Sequence, residues 1–320
     1  MNTALNQQLR ELVLSTQRKP PTVAIVAPSG YAVSDAAVAR GITALEAQGC
    51  AVRNFYAGDR KYQRFAATDD ARVAQLYAAV NDSEVDIVLA LRGGYGLTRL
   101  LPALDFSMLA ASGKLFVGHS DFTAFQLALL AKTGTTSFAG PMLCDDFVRE
   151  ELSALTMQSF WQSMTQATQT IKVTAHDNPL LECEGTLWGG NLAMLTHLVG
   201  SPYMPHIENG ILFIEDVNEH PYRVERMVLQ LLHAGVLGQQ QALILGDFSA
   251  YRLTDYDNGY DFAVMLDYLR NTLPIPVLCG LPFGHETDKV TLAVGAHCAL
   301  RSGRDSLSLV MSAYPHLSGS

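Results

Sequence analysis

Short apolar runs that alternate with helical patterns constrain this chain more than any other feature. Thr22 to Ala27 (TVAIVA) reads as a buried strand because every side chain is aliphatic or β-branched, and Pro28-Ser29-Gly30 stops it. Asp35 to Gln48 follows as a helix, with Gly49 where a helix ends in a left-handed residue. Asp69 to Asn81 is a second helix. Val85 to Leu91 and Leu115 to Gly118 are further strands, the first ending at Arg92-Gly93-Gly94-Tyr95-Gly96 and the second at His119-Ser120. Strands that alternate with helices indicate an α/β architecture, a parallel sheet covered by helices. In such a sheet the βα loops gather at the strand C-termini and ligands bind there. Both polar stops lie at that edge.

Between residues 144 and 184 the pattern weakens into a polar stretch rich in Gln and Thr. It is expected to link an N-terminal α/β domain over 1–143 to a C-terminal α/β domain over 185–320. Gly189-Gly190-Asn191 precedes the periodic run Leu192 to Val199, which makes Asn191 the expected N-cap. Ile211 to Ile214 is a strand whose next residue is Glu215. Pro221 opens a helix whose apolar face is Val224, Met227, Val228, Leu231 and Leu232, closed by Gly235. Ala242 to Leu245 and Pro276 to Cys279 complete the second α/β set, and His285 sits in the loop after the latter. A chain of 320 residues with 48% hydrophobic and 17% charged side chains can bury two such cores.

The formal net charge of −9 repels a phosphate backbone or an anionic membrane, which argues against nucleic acid and membrane as partners. The first twenty residues contain no continuous apolar stretch of signal-peptide type, and no run approaches the roughly 20 residues of a membrane span. The expectation is a soluble, cytoplasmic protein. Five widely spaced cysteines without a C-x-x-C pair read as reduced, mostly buried thiols.

Ser120 lies between the strand LFVG and the helical pattern DFTAFQLALLAK, where its hydroxyl meets unpaired N–H groups and the positive end of a helix dipole. Those donors, the Asp121 N–H first among them, can stabilise an oxyanion, and the Gly93-Gly94 backbone offers more. A serine here also suits a plain helix cap. Glu215 at a strand end can orient a histidine, or can pair with Arg223 or Arg226. His285, in Gly284-His285-Glu286, is a candidate general base. His285-Glu286-Thr287-Asp288-Lys289 begins like a zinc-protease motif but lacks the histidine at its fifth position, and Asp255-Tyr256-Asp257-Asn258-Gly259 lacks the spacing of a calcium loop. No phosphate-cradling G-x-x-x-x-G-K-[ST] or G-x-G-x-x-G occurs, so neither cofactor nor metal is expected.

The segments RGGYG (92–96), VGHSDFTAF (117–125), GGNLAML (189–195), LFIEDVNEHPYRVERM (212–227) and GLPFGH (280–285) together resemble the LD-carboxypeptidase family. The resemblance spans about Thr22 to Gly295. It implies an N-terminal flavodoxin-like domain that carries a nucleophile, Ser120, and a C-terminal domain that carries an orienting acid, Glu215, and a base, His285, with the active site at their interface. It also implies removal of the terminal D-alanine from a murein tetrapeptide during peptidoglycan recycling, by cutting an L,D bond. In that mechanism Asp121 and Gly94 supply the oxyanion hole, and Arg223 and Arg226 are candidates for the substrate's carboxylate. A relative within the family cleaves peptidyl or aminoacyl nucleotides and confers immunity to a microcin. Other readings are an α/β-hydrolase, whose G-x-S-x-G elbow is broken here by Phe122, and a non-catalytic small-molecule binding protein. A homodimer is compatible with all of them.

Overall fold

The strands lie in two sheets in the computed structural model, which describes residues 3–15 and 19–317. In the first part of the chain α1 (Thr3–Ser15) is followed by β1 (Thr22–Val26), α2 (Asp35–Ala47), β2 (Ala51–Asn54), α3 (Asp69–Asn81) and β3 (Ile87–Ala90). Then come α4 (Leu97–Leu100), α5 (Phe106–Ala111), β4 (Leu115–Gly118), α6 (Thr123–Thr133) and β5 (Ser137–Ala139). The parallel order β5-β4-β3-β1-β2 matches the α/β expectation, and β1, β3 and β4 are buried on both faces. Ser34 caps α2 by accepting from the Ala37 N–H, and Gly49 ends it at φ +92°. Every residue of α6 from Thr123 to Leu130 is buried, because this helix packs against elements of both sheets.

Residues 144–184, expected as a linker, carry α7 (Ala154–Thr165), β6 (Thr168–Val173) and the start of β7 (Leu181–Asn191). Met157, Phe160, Trp161 and Met164 of α7 are buried, and α7 packs on α1. Gln169 on β6 turns inward, where its amide donates to Ser159 and its carbonyl accepts from Ser163. Buried polar side chains that satisfy one another hide a strand from a hydrophobicity pattern.

The remaining elements are α8 (Leu192–Leu198), β8 (Gly210–Val217), α9 (Pro221–His233), β9 (Gln240–Ser249), α10 (Phe262–Thr272), β10 (Val277–Leu278), β11 (Leu292–Val294), β12 (His297–Gly303) and β13 (Ser306–Ser312). The second sheet, in order β10-β9-β8-β7-β12-β13-β6, is parallel from β10 to β7 and antiparallel beyond. Asn191 caps α8 as expected, accepting from the Met194 N–H at 3.1 Å. All five cysteines are free thiols. No helix among the described residues is long and apolar enough to cross a membrane.

The chain passes between the two sheets more than once, and one of these crossings bears on the site. After β10 the chain leaves the second sheet, passes through His285 and returns as β11, which adds antiparallel to β5 at the edge of the first. Leu292 pairs with Ala139, and Ala139 pairs with Gly118 at the end of β4. The loop that carries His285 therefore emerges at the strand-end edge where Ser120 lies.

Candidate active site

Ser120 follows β4 at φ +60°, in the left-handed region that costs a non-glycine residue about 1–3 kcal/mol. Residues 120–122 form a single 3₁₀ turn that leads into α6, so the serine stands at a sharp strand-to-helix corner and its own backbone is not a regular cap. Gly93, at the end of β3, faces it. A Cβ on Gly93 would stand 2.8 Å from Ser120 Oγ, 2.9 Å from Ser120 Cβ and 3.4 Å from the Asp121 N, so only glycine admits this approach. The Gly93 carbonyl accepts from the Gly30 N–H at 3.2 Å. Across a trans peptide the Gly94 N–H points the opposite way, away from Gly30. Gly94 itself has φ +113°.

The Asp121 side chain braces this corner. Its Oδ2 accepts from Ser29 Oγ at 2.6 Å and from the Leu97 N–H at 3.0 Å, tying together the loops after β1 and β3. Burial pushes its carboxyl up from the ordinary value, against the lowering effect of those two hydrogen bonds. Arg72 reinforces the same loops from below, donating to the carbonyls of Pro28 and Gly96.

Glu215 was expected just past a strand, but β8 continues through it to Val217. It is fully buried and pairs in the ladder with Asn191 of β7. On the β9 side the register shifts between Ile214 and Asp216, so Glu215 sits at an irregularity of the kind that re-aims a side chain. Its Oε2 lies 2.7 Å from His285 Nδ1, and its Oε1 accepts from Asn191 Nδ2 at 3.1 Å. A carboxylate only accepts, so Nδ1 carries the hydrogen and Nε2 of His285 keeps a free lone pair. Burial alone would lower the His285 pKa. The hydrogen bond and charge of Glu215, with Asp145 and Asp216 behind it, outweigh burial and hold it above the usual histidine value.

Two contacts bring this pair to Ser120. His119, the residue before the serine, meets the His285 ring edge-on with centroids 5.2 Å apart. Its Nδ1 donates to the Gly140 carbonyl at 2.9 Å, and burial, with the charges of Lys289 and His285 adding to it, pushes its pKa far down, so it stays neutral. On the other side the Asn191 N–H donates to Thr123 Oγ1 at 3.0 Å, at the start of α6. Gly190, at φ +132°, allows that approach, since a Cβ there would lie 2.5 Å from the same oxygen.

Several buried charges complete the surroundings. Lys289, 1% exposed, is paired with Asp146. Asp145 is pushed up by burial and by Asp146, with Lys289, Arg92 and His285 opposing. Burial, the charge of Glu286 and that of Glu215 raise Asp247, which is hydrogen-bonded through its N–H to the Phe283 carbonyl, to about 6. Sequence reasoning missed His119, Thr123, Asp145 and the Lys289–Asp146 pair. A buried lysine carries no local signal, whereas His119 directly before the corner serine could have been singled out.

Ser120, Asp121, the Gly93-Gly94 loop, Glu215 and His285 thus share one locality. Arg223 and Arg226 are different: both are exposed on α9. Arg223 lies 3.7 Å from Glu219 and donates to the Tyr222 hydroxyl, and Arg226 lines a groove on α9 with Leu229, Gln230 and His233. Among the described residues no group of three His, Cys, Asp or Glu stands close enough to hold a metal ion.

This arrangement has counterparts among known proteins. Residues 23–140 match the LD-carboxypeptidase N-terminal domain model and residues 184–300 match the LD-carboxypeptidase C-terminal domain model. The chain is 30% identical to the probable murein peptide carboxypeptidase of Bacillus subtilis, covering 89% of this chain and 90% of that protein. It is 28% identical to the microcin C7 self-immunity protein of Escherichia coli, over 76% and 79% of the two chains. A crystal structure of muramoyltetrapeptide carboxypeptidase from Oxalobacter formigenes superposes with a TM-score of 0.88 at 53% identity, covering 92% of this chain and 99% of that one.

Proposed function

Because the chain belongs to the LD-carboxypeptidase family, and so is a serine-type carboxypeptidase, we propose that it releases the terminal D-alanine from murein tetrapeptides in the cytoplasm, as part of peptidoglycan recycling. The observation that carries the mechanism is the 2.7 Å contact between a buried Glu215 and His285 beside a serine held at φ +60°. In this reading Ser120 is the nucleophile, His285 the base and Glu215 the orienting acid, at the junction of an N-terminal and a C-terminal domain.

His285 Nε2 takes the proton of Ser120 as Oγ attacks the carbonyl carbon of the L-centred residue. The N–H groups of Asp121 and Gly94 receive the oxyanion. As the C–N bond breaks, His285 returns the proton to the D-alanine amine, which leaves. Water then attacks the acyl-serine, gives its proton to His285, and the serine regains its hydroxyl. Throughout, Glu215 holds the Nδ1–H tautomer and stabilises the imidazolium.

Incubation with a purified murein tetrapeptide and mass spectrometry tests the proposal: tripeptide and D-alanine should accumulate, in EDTA as well as without it. A second substrate class, peptidyl or aminoacyl nucleotides, is favoured by the similarity to the microcin self-immunity protein. Consumption of an aminoacyl-adenylate analogue while the tetrapeptide persists would select it instead.

A further inference from the structure

A carboxypeptidase has to recognise the free carboxylate of its substrate's last residue, and a planar guanidinium suits that group. That carboxylate carbon is three bonds from the scissile carbonyl carbon, hence within about 4 Å of it. Its partner must therefore border the Ser120 corner, whereas Arg223 is exposed beside Glu219 and Tyr222 and Arg226 lines a groove formed by residues of α9.

Most cations around the corner are engaged. Lys289 is paired with Asp146, and Arg72 with Asp69 at 2.5 Å. Arg99 is held by the other oxygen of Asp69 at 2.8 Å. Arg149 donates to the Asp145 carbonyl at 2.8 Å. Arg92 differs. It immediately precedes the glycine that abuts Ser120 Oγ, at the C-terminal end of β3, and is half-buried. Its stem passes Gly30, whose Cβ, if present, would stand 3.6 Å from Arg92 Nε. On its other side Cys144 is fixed by a 2.9 Å bond from its N–H to the Leu91 carbonyl, which sets Asp145 close to both Arg92 and His285. Yet among the described residues the guanidinium has no carboxylate within ion-pair distance. Its Nη1 reaches the Tyr31 carbonyl at a long 3.4 Å, and its buried Nε has no hydrogen-bond partner. A desolvated donor without an acceptor is costly, and such groups call for an explanation.

The geometry points to Arg92 as the residue that binds the free carboxylate of the substrate's C-terminal residue. The substrate's carboxylate pairs with a guanidinium that no protein carboxylate among the described residues neutralises, and the same contact makes the enzyme a carboxypeptidase by rejecting chains that continue past this residue. The inference rests on the proposed peptidase reaction but has its own readout.

The test compares a murein tetrapeptide with the same peptide ending in a carboxamide, on the parent enzyme and on Arg92→Met and Arg92→Lys. Binding of both peptides to Ser120→Ala protein, with and without Arg92→Met, is measured by calorimetry, and melting curves verify folding. The parent should prefer the acid. Arg92→Met should lower kcat/KM on the acid by roughly 10²- to 10³-fold, mainly through KM, and remove most of the preference over the amide. Arg92→Lys should recover part of it, since charge returns without the two-pronged geometry. If folded Arg92→Met keeps the parent's acid-over-amide ratio, Arg92 is not the carboxylate site although the reaction stands. If no tetrapeptide is cleaved but carboxylate-dependent binding is lost in Arg92→Met, the site stands and the reaction is wrong. Binding indifferent to both the carboxylate and Arg92 overturns the inference.

Discussion

Replacing Gly93 with Ala adds one methyl group at the position that matters most for the proposed nucleophile. The new Cβ would lie 2.9 Å from Ser120 Cβ, whereas ordinary contact begins at 3.4 Å, so the two must separate by 3.4 − 2.9 = 0.5 Å. Rotation of the hydroxyl cannot relieve this, because Ser120 Cβ is fixed to a backbone already held at φ +60°. The serine or the Gly93 loop must move, and either shift disturbs the relation of Oγ to the Asp121 and Gly94 N–H groups. A misplacement of about 1 Å costs on the order of 10²-fold in rate, so about half of that should cost roughly 10- to 10²-fold in kcat. Stability should fall by only about 1–2 kcal/mol, within the range of ordinary substitutions. Gly134→Ala is the control: φ is +69° there and nothing lies within 4 Å, so it should lower stability alone. Steady-state kinetics on the tetrapeptide and thermal melting on the same preparations give both readings. Folded Gly93→Ala with more than half the parent kcat would show either that Ser120 is not the reacting group or that the loop yields freely.

Three other outcomes follow from the same geometry. Ser120→Ala and His285→Ala should each lower kcat by roughly 10⁴-fold or more, with the double variant little worse, because nucleophile and base act as one unit; steady-state kinetics on all three variants checks this. Glu215→Gln should lower kcat by roughly 10²- to 10⁴-fold. It should also move the acid limb of kcat/KM to lower pH: the carboxylate is what holds His285 above the ordinary value, and burial, which remains, pulls it down. A pH–rate profile whose acid limb stays put would refute the pairing. Asp247→Asn should raise the melting temperature at pH 7. The Asp247 carboxyl is raised from 3.8 to about 6, so its charged form is disfavoured in the fold; that cost is present above about 6 and gone below 3.8. The gain in melting temperature should therefore shrink as the pH falls towards 4.

Much of the local structure could be read directly. The end of α2 at Gly49 and the start of α8 at Asn191 depend on residues a few positions away and were legible from spacing. β6 was not, because its inward residues include Gln169, whose burial is tolerable only once Ser159 and Ser163 of α7 are beside it. Glu215 looked like the residue after a strand for a related reason. A carboxylate inside a buried ladder is acceptable only where Asn191 and His285 meet it.

The sequence by itself determined that apolar runs would become buried strands, that their polar stops would gather at one edge, and that a serine would stand at the entry of α6. Hydrophobic periodicity, capping and turn chemistry act over a few residues, so they can be read from a linear pattern. Tertiary structure decided which stops meet. His285 reaches Glu215 across 70 residues, and Lys289 reaches Asp146 across 143, because the chain leaves the second sheet after β10 and β11 extends the edge of the first. Pairings at that separation are set by sheet order and by the desolvation of charges that must find partners once buried, and neither is encoded at any single stretch of the chain.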